Sequence, residues 1–172
     1  MAMGNDVMRS SSHQNHTAVM HELSGPAVGH SNPVLAWLDE FATAVRNRDF
    51  DHGREMFAHD AVGFGTVAEL EVGLDNLVKN QWHRVWVNTR GFRYDLDTAE
   101  VGGEEPVYWA AAKWSSMGKD ATGREVERRG RCTIILHRRN GKLLAVHSHY
   151  SFTPSGDVTP APAQRQQQQQ LQ

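Results

Sequence analysis

Two histidines and a tyrosine near the C-terminal end of the chain are the residues best suited to acid–base chemistry. His147 and His149 stand two positions apart in the run V-H-S-H-Y, and Tyr150 follows directly. Histidine changes its charge near neutral pH and can move a proton or bind a metal ion. A tyrosine hydroxyl can donate a hydrogen bond to an oxyanion that develops during a reaction. These three residues are therefore the catalytic candidates.

A second set of metal-binding residue types lies earlier in the chain. His52, Glu55 and His59 recur at i, i+3 and i+7 of a predicted helix at 50–58, so they could share one side of it. Helices that face solvent carry such residues routinely. The histidines of segment 1–32 have no cysteine or carboxylate at a spacing that completes a metal site. We therefore predict no metal ion and no cofactor.

The elements that position the catalytic candidates begin with a C-terminal hairpin. Two apolar runs rich in β-branched residues flank Asn140-Gly141, which is a strong hairpin signal. A two-residue turn would place Arg139 opposite Lys142 and mix apolar with polar side chains on both faces. A three-residue loop, with Gly141 in a bulge, would place Arg138 opposite Lys142 and sort the two kinds of side chain. We predict the three-residue loop.

This register decides which side chains share a face, because successive strand residues point to opposite sides. The predicted inner face consists of Cys132, Ile134, Leu136, Leu144, Val146, Ser148, Tyr150 and Phe152. The predicted outer face consists of Arg131, Thr133, His137, His147, His149 and Ser151. The histidines are thus expected outside, in water or in a dimer interface, and the tyrosine inside.

Composition predicts one domain without an electrostatic preference for nucleic acid. At 172 residues and 39% hydrophobic content, the chain has apolar material for one core. Its formal charge of −2 gives no general attraction to nucleic acid or anionic membranes. Arg128, Arg129 and Arg131 form a basic cluster, but Glu125 and Glu127 balance it. We interpret this cluster as a solvated strand face and predict neither a nucleic-acid nor a membrane partner.

The location and the two ends of the chain are predicted from local composition. The single cysteine, Cys132, excludes an intrachain disulfide and sits in the apolar pattern of its strand, as a buried, inert thiol does. We find neither a membrane-spanning stretch nor a signal peptide and expect a cytoplasmic location. Residues 1–32 are polar and residues 155–172 are rich in Pro and Gln, so both are predicted to be disordered tails.

Helical and strand patterns upstream of the hairpin predict an α+β domain at 33–154. Asn32 and Pro33 are suited to the N-cap and the first turn of a helix. Two more helices are predicted at 50–58 and 73–88, and the remaining chain has strand patterns with Gly-bearing connections. Helices followed by a strand meander are typical of a curved sheet whose apolar face is covered by the helices.

Three segments give the chain a specific resemblance to a known superfamily. They are N-R-D-F-D-H-G-R-E-M-F-A-H-D-A-V-G-F at 47–64, V-G-L-D at 72–75, and L-H-R-R-N-G-K-L-L-A-V-H-S-H-Y-S at 136–151. In these motifs the chain resembles the nuclear transport factor 2-like superfamily, which includes SnoaL-like proteins, ketosteroid isomerase relatives and the calcium/calmodulin-dependent kinase II association domain. The resemblance implies a cone-shaped, curved antiparallel sheet around three N-terminal helices, a pocket at the open end, and a homodimer through the outer sheet face.

The resemblance also implies where a pocket would lie. In the association-domain relatives three arginines reach into it, and the matching positions here are Ala112, Ile134 and Tyr150. Since these positions carry no charge, we expect a neutral or apolar cavity. The predicted pocket residues are Phe57, Trp82, Tyr108, Ala110, Ala112, Ile134 and Tyr150.

Three classes of function are compatible with this sequence. The leading hypothesis is a stand-alone, dimeric SnoaL-like domain that binds a small, largely apolar organic ligand. The second is a ketosteroid-isomerase-like or polyketide-cyclase-like acid–base enzyme, in which Tyr150 would donate to the oxyanion. Such an enzyme also needs a carboxylate base, and none falls cleanly on the inferred pocket face. The third is an oligomerisation module that uses the outer sheet face.

Overall fold

The N-terminal helix has the boundaries that its capping residues predict. The structure is a computed structural model that describes residues 32–154, so residues 1–31 and 155–172 of the two predicted tails lie outside it. Helix α1 spans Pro33–Asn47, and the Asn32 side chain accepts a hydrogen bond of 2.9 Å from the Val34 amide. Its buried stripe includes Leu38 and Phe41, which packs the helix against the sheet.

The second helix is shorter than predicted. Helix α2 spans Phe50–Glu55, and strand β1 then begins at once and spans Phe57–Phe64. The Ala145 amide donates to the Met56 carbonyl at 2.9 Å, so pairing with the last strand ends the helix early. The prediction of a helix through residue 58 is therefore wrong, and His59 lies on β1 rather than on a helix face shared with His52 and Glu55.

The third helical segment, residues 74–88, is continuous but changes its winding. Helix α3 (Leu74–Leu77) leads into a π-helical turn (Val78–Trp82), helix α4 (His83–Val85) and a 3-10 turn (Trp86–Asn88). π-helical turns widen a helix locally and recur at functional sites. The helical spacing of Leu74, Leu77, Val78, Trp82, Val85 and Trp86 predicts one apolar stripe along this segment. All of them are buried except Val85, which is half-buried.

Seven strands form one curved, unclosed sheet that covers the helices. After β1 the strands are β2 (Glu71–Val72), β3 (Arg90–Tyr94), β4 (Glu100–Glu104), β5 (Val107–Lys119), β6 (Glu125–Arg139) and β7 (Lys142–Phe152). Their order is β2-β1-β7-β6-β5-β3, and β4 also pairs with β5. The predicted α+β class with N-terminal helices is confirmed, with one parallel pairing, between β1 and β7, among otherwise antiparallel pairs.

The hairpin between β6 and β7 has a different turn from the predicted one. Arg139 pairs with Lys142, and both turn residues have positive φ, 51° for Asn140 and 79° for Gly141. This is the two-residue turn that suits an Asn-Gly sequence. The prediction of a three-residue loop is wrong.

A β-bulge in β7 corrects the register a few residues beyond the turn. Leu136 pairs with Ala145 whereas Ile135 pairs with His147, so Val146 is the extra residue. Ala145 is consequently buried, and Leu144 and Val146, which were predicted to face inward, are only half-buried. Beyond the bulge even-numbered residues of both strands face each other, as predicted.

Candidate functional site

A small cavity lies between the helices and the concave face of the sheet. The space inside it that the centre of a water-sized atom can reach is about 50 Å³. The partly exposed ring of Phe152 belongs to its wall and lies 5.7 Å from the Trp114 ring between ring centres. Most of the lining is aromatic or aliphatic: Phe41, Val45, Phe64, Leu77, Trp82, Val85, Trp86, Phe92, Trp114 and Phe152. The polar lining residues are Thr66, Gln81, Thr89, Ser116, Arg128, Ser148 and Tyr150.

A pair of tyrosines meets beside this cavity, and one of them, Tyr150, lines it. The hydroxyl groups of Tyr94 on β3 and Tyr150 on β7 are hydrogen-bonded to each other. Burial raises the pKa of both phenols well above the ordinary value, so both stay neutral near pH 7. Cys132 is buried beside them, and burial raises the pKa of its thiol to about 12. The thiol and both phenols therefore stay protonated near neutral pH.

Arg128 brings a positive charge to the cavity from β6. Its Nη2 donates to the Thr89 hydroxyl at 2.7 Å and to the Met117 carbonyl at 3.3 Å. Burial lowers the pKa of its guanidinium, which nevertheless remains protonated at neutral pH. Arg128 forms no ion pair with any carboxylate of residues 32–154. Within the same range, it is the only charged side chain that lines the cavity.

Two glycines let large side chains lie flat on the inner face of the sheet. A Cβ atom at Gly118 would overlap the Arg128 guanidinium, and one at Gly130 would overlap the Trp114 ring. Trp114 is held there by a hydrogen bond of 3.2 Å from its Nε1 to the Arg131 carbonyl. Each of these large side chains therefore occupies space that a glycine on the neighbouring strand leaves free.

Gln81 fixes the wall that is contributed by the connection between β1 and β2. Its Oε1 accepts from the amides of Val67 at 3.2 Å and Ala68 at 3.0 Å, and its Nε2 donates to the Thr66 hydroxyl at 3.2 Å. Gly65 leaves the space that the Gln81 side chain needs. The sequence analysis did not identify Gln81 as a site residue. The available signal was a polar amide next to the apolar residue Trp82 in the helical segment 74–88.

The structure divides the predicted pocket residues into three groups. Trp82 and Tyr150 line the cavity. Tyr108 is half-buried near the β6–β7 turn, where the Arg138 guanidinium lies 5.8 Å from its ring centre. The others are packed in the hydrophobic core, where Phe57 contacts the Phe41 ring, and do not line the cavity. They are Phe57, Ala110, Ala112 and Ile134.

The histidine pair lies on the opposite face of the sheet from the cavity. The ring centres of His147 and His149 lie 5.9 Å and 5.2 Å from that of Phe64. His149 is exposed beside Thr133, and neither histidine lines the cavity. The three catalytic candidates therefore do not form one site, because Tyr150 alone faces inward.

The basic cluster of β6 is also divided between the two faces. Arg129 and Arg131 are exposed, as predicted, but Arg128 faces the cavity. The interpretation of Arg128 as part of a solvated face is wrong. The alternation of side chains along β6 predicts the inward position of Arg128, because Arg128, like Cys132 and Ile134, has an even number and so lies on the same face.

The part of the chain that the structure describes contains no cluster suited to a metal ion. No three histidine, cysteine or acidic side chains within 32–154 converge on one point. His52 instead pairs with Glu40, with 2.9 Å between Nε2 and Oε1. The histidines of segment 1–32 lie outside the described residues.

Comparison with known proteins identifies the family. A family model described as the SnoaL-like domain matches residues 34–155. The chain belongs to the SnoaL-like family. Within 32–154, this SnoaL-like chain has no helix of the length and apolarity needed to span a membrane. No curated protein matches it significantly.

Solved structures show the same fold at low sequence identity. A Xanthomonas campestris protein assigned to the calcium/calmodulin-dependent protein kinase II association domains is 21% identical, with a TM-score of 0.64 over 80% of this chain and all of its own. A nuclear transport factor 2-like protein from Salmonella enterica is 15% identical, with a TM-score of 0.62 over 74% of this chain and 94% of its own. A ketosteroid isomerase-like protein from Erwinia carotovora is 16% identical, with a TM-score of 0.59 over 72% and 99%. The SnoaL-like resemblance inferred from the motifs is confirmed by the family model, and these structures share its fold.

Proposed function

We propose that this SnoaL-like domain binds a small, largely apolar organic ligand in the cavity between residues 74–88 and the sheet. The observation that carries the proposal is the composition of the cavity wall. It combines aromatic rings with a few polar groups, and its described lining holds no carboxylate and no imidazole. Concave apolar sites with a few placed polar groups are the usual form of small-molecule sites.

The same wall favours binding over proton-transfer catalysis. An isomerase-like reaction needs a base within hydrogen-bond reach of the substrate, besides an acid that stabilises the oxyanion. The Tyr94–Tyr150 pair resembles the acid part of such a site. In the described residues, however, the hydrogen-bond partner of the Tyr150 hydroxyl is another neutral phenol rather than a carboxylate. Acid–base catalysis is therefore the second candidate.

Thermal unfolding of the full-length chain with added small carbonyl compounds tests the proposal. A ligand that prefers the folded state raises the melting temperature. Ser148→Val adds bulk to the cavity wall and should abolish the rise, whereas Ser151→Val alters the outer face of the same strand and should preserve it. A rise that persists in Ser148→Val would contradict binding in this cavity. Turnover of a bound compound would support the enzyme instead.

We also propose a homodimer formed through the outer sheet face. Trp109 on β5 is 42% exposed there, next to Ile135 on β6, and exposed aromatic residues are enriched at interfaces. The association-domain relatives support this proposal as analogy. Trp109→Lys should convert a dimer into a monomer in light scattering, whereas Val87→Lys, at an exposed site on the helical segment, should not.

The association-module hypothesis makes a different prediction from the same variants. If association is the function of the outer face, ligands should leave the melting temperature unchanged while Trp109→Lys still dissociates the assembly.

The expected cytoplasmic location stays a prediction, which localisation of a fluorescent fusion can check.

A further inference from the structure

The Arg128 guanidinium is incompletely satisfied in its half-buried position. One of its nitrogens, Nη2, donates to Thr89 and to the Met117 carbonyl, while the Nε–H is buried without a partner within residues 32–154. Both acceptors are neutral. A partly desolvated cation with neutral partners alone costs free energy, and an anion would offset that cost.

The surroundings of Arg128 indicate what kind of anion would suit this position. Ser116 pairs directly with Arg128 across β5 and β6, and its buried side chain lines the cavity. Beyond it lies the Trp114 ring, whose centre is 5.9 Å from that of Phe92 and 5.7 Å from that of Phe152. One positive charge beside an aromatic wall matches a monoanion with an apolar body better than a phosphate dianion.

We infer that the cavity binds a small organic carboxylate, with its acid group on Arg128 and Ser116 and its apolar body against Trp114. This inference rests on the proposed function and specifies the chemical class of the ligand. A carboxylate can accept two N–H bonds from one guanidinium, which fixes its orientation as well as its charge. The positive charge comes from Arg128, near the N-terminal end of β6. It does not come from Ala112, Ile134 or Tyr150, the positions at which the resemblance implied a neutral cavity.

Matched acids and amides test the role of the charge directly. Benzoate and phenylacetate are compared with benzamide and phenylacetamide by calorimetric titration of the full-length chain at constant ionic strength. The acids should bind at least about tenfold more tightly than their amides, because a hydrogen bond to a charged group contributes at least about 1.4 kcal/mol, or tenfold in affinity. Arg128→Gln should remove that preference.

The outer arginine next in sequence provides a matched control. Arg129 is exposed and pairs with Glu127 at 2.9 Å, so Arg129→Gln removes the same charge without touching the cavity and should keep the preference for acids. If Arg128→Gln fails to fold, Gly118→Ala provides a second test. It keeps the charge but displaces the guanidinium, so the preference should fall several-fold.

The possible results separate this inference from the proposed function. Amides that bind as tightly as their acids would contradict the inference and leave the binding function intact. A preference for acids that survives Arg128→Gln, or Gly118→Ala where that variant decides, would also contradict it. Absence of binding by both series would contradict the inference and count against the cavity as a binding site.

Discussion

The two faces of strands β6 and β7 place similar polar residues in very different surroundings. On the inner face, Arg128 and Tyr150 border an aromatic cavity and are partly or largely shielded from water. On the outer face, Arg131 and His149 are exposed. Arg128 and Arg131 are only three positions apart, and His149 and Tyr150 are neighbours in the chain. The comparison teaches that strand parity, rather than residue type, decides which of these groups is available to a ligand inside the cone.

The largest expected difference between the faces concerns stability. Ile134 is fully buried on the inner face of β6, whereas the adjacent Thr133 is exposed on the outer face. Ile134→Ala should lower the free energy of unfolding by about 2–5 kcal/mol, because it removes buried methyl groups and leaves a cavity. Thr133→Ala should change it by less than about 0.5 kcal/mol. Urea titration measures both, and equal effects would contradict the assigned faces.

The buried tyrosines should make the protein less stable at alkaline pH. Their pKa values are raised in the folded state, so above pH 10 the unfolded chain releases protons that the folded chain retains. The stability that the two phenols contribute is therefore fully present below pH 10 and falls as pH rises, by up to about 1.4 kcal/mol per pH unit for each tyrosine. Buried Cys132 adds to this slope from about pH 9.

The double variant Tyr94→Phe/Tyr150→Phe isolates the contribution of the phenols. Urea titrations from pH 8 to pH 11.5 should give a shallower alkaline decline for this variant than for the parent chain. An unchanged slope would mean that the two hydroxyls are not shielded from water in the folded protein.

An exposed ion pair should have a much smaller effect. Arg139 donates to Asp60 at 2.8 Å, and this bond lowers the pKa of the Asp60 carboxyl. A lowered pKa contributes stability that is present above the unfolded value of 3.8 and is lost as pH falls further. Because the pair is exposed, Asp60→Asn should barely change the melting temperature at pH 7. A large decrease would show that this pair is shielded in an assembly.

The smallest effect on ligand binding is expected from the outer histidines. His147→Gln/His149→Gln should leave the affinity for a cavity ligand within about twofold of the parent value, since neither side chain lines the cavity. Titration calorimetry measures this. Loss of binding or of turnover would move the functional site to the outer face.

Much of the fold followed from local sequence patterns. The capping pair Asn32-Pro33 fixed the start of α1, and the alternation of β6 and β7 placed Tyr150 inside and the histidines outside. The hairpin turn could not be settled in the same way. The β-bulge at Val146 allows a two-residue turn to coexist with the register that sorts apolar from polar side chains. Because the prediction contained no bulge, it placed Leu144 and Val146 on the inner face.

The site was less predictable because it depends on contacts between distant segments. Ala112 and Ile134 have the parity of pocket residues, but both are packed in the hydrophobic core and do not line the cavity. Arg128 was grouped with its charged neighbours, although its parity matched the apolar face. The missing side chain at Gly118, which makes room for the guanidinium, becomes meaningful only once the pairing of β5 with β6 is known.

The indole N–H signals of the tryptophans test the central claim of a ligand cavity on the inner face most directly. Trp82, Trp86 and Trp114 line the cavity, whereas Trp109 lies on the outer face. In a nitrogen–proton correlation spectrum, titration with benzoate should shift the three cavity signals and leave that of Trp109 in place. A shift of Trp109 with the cavity signals unmoved would contradict the account and place binding on the outer sheet face.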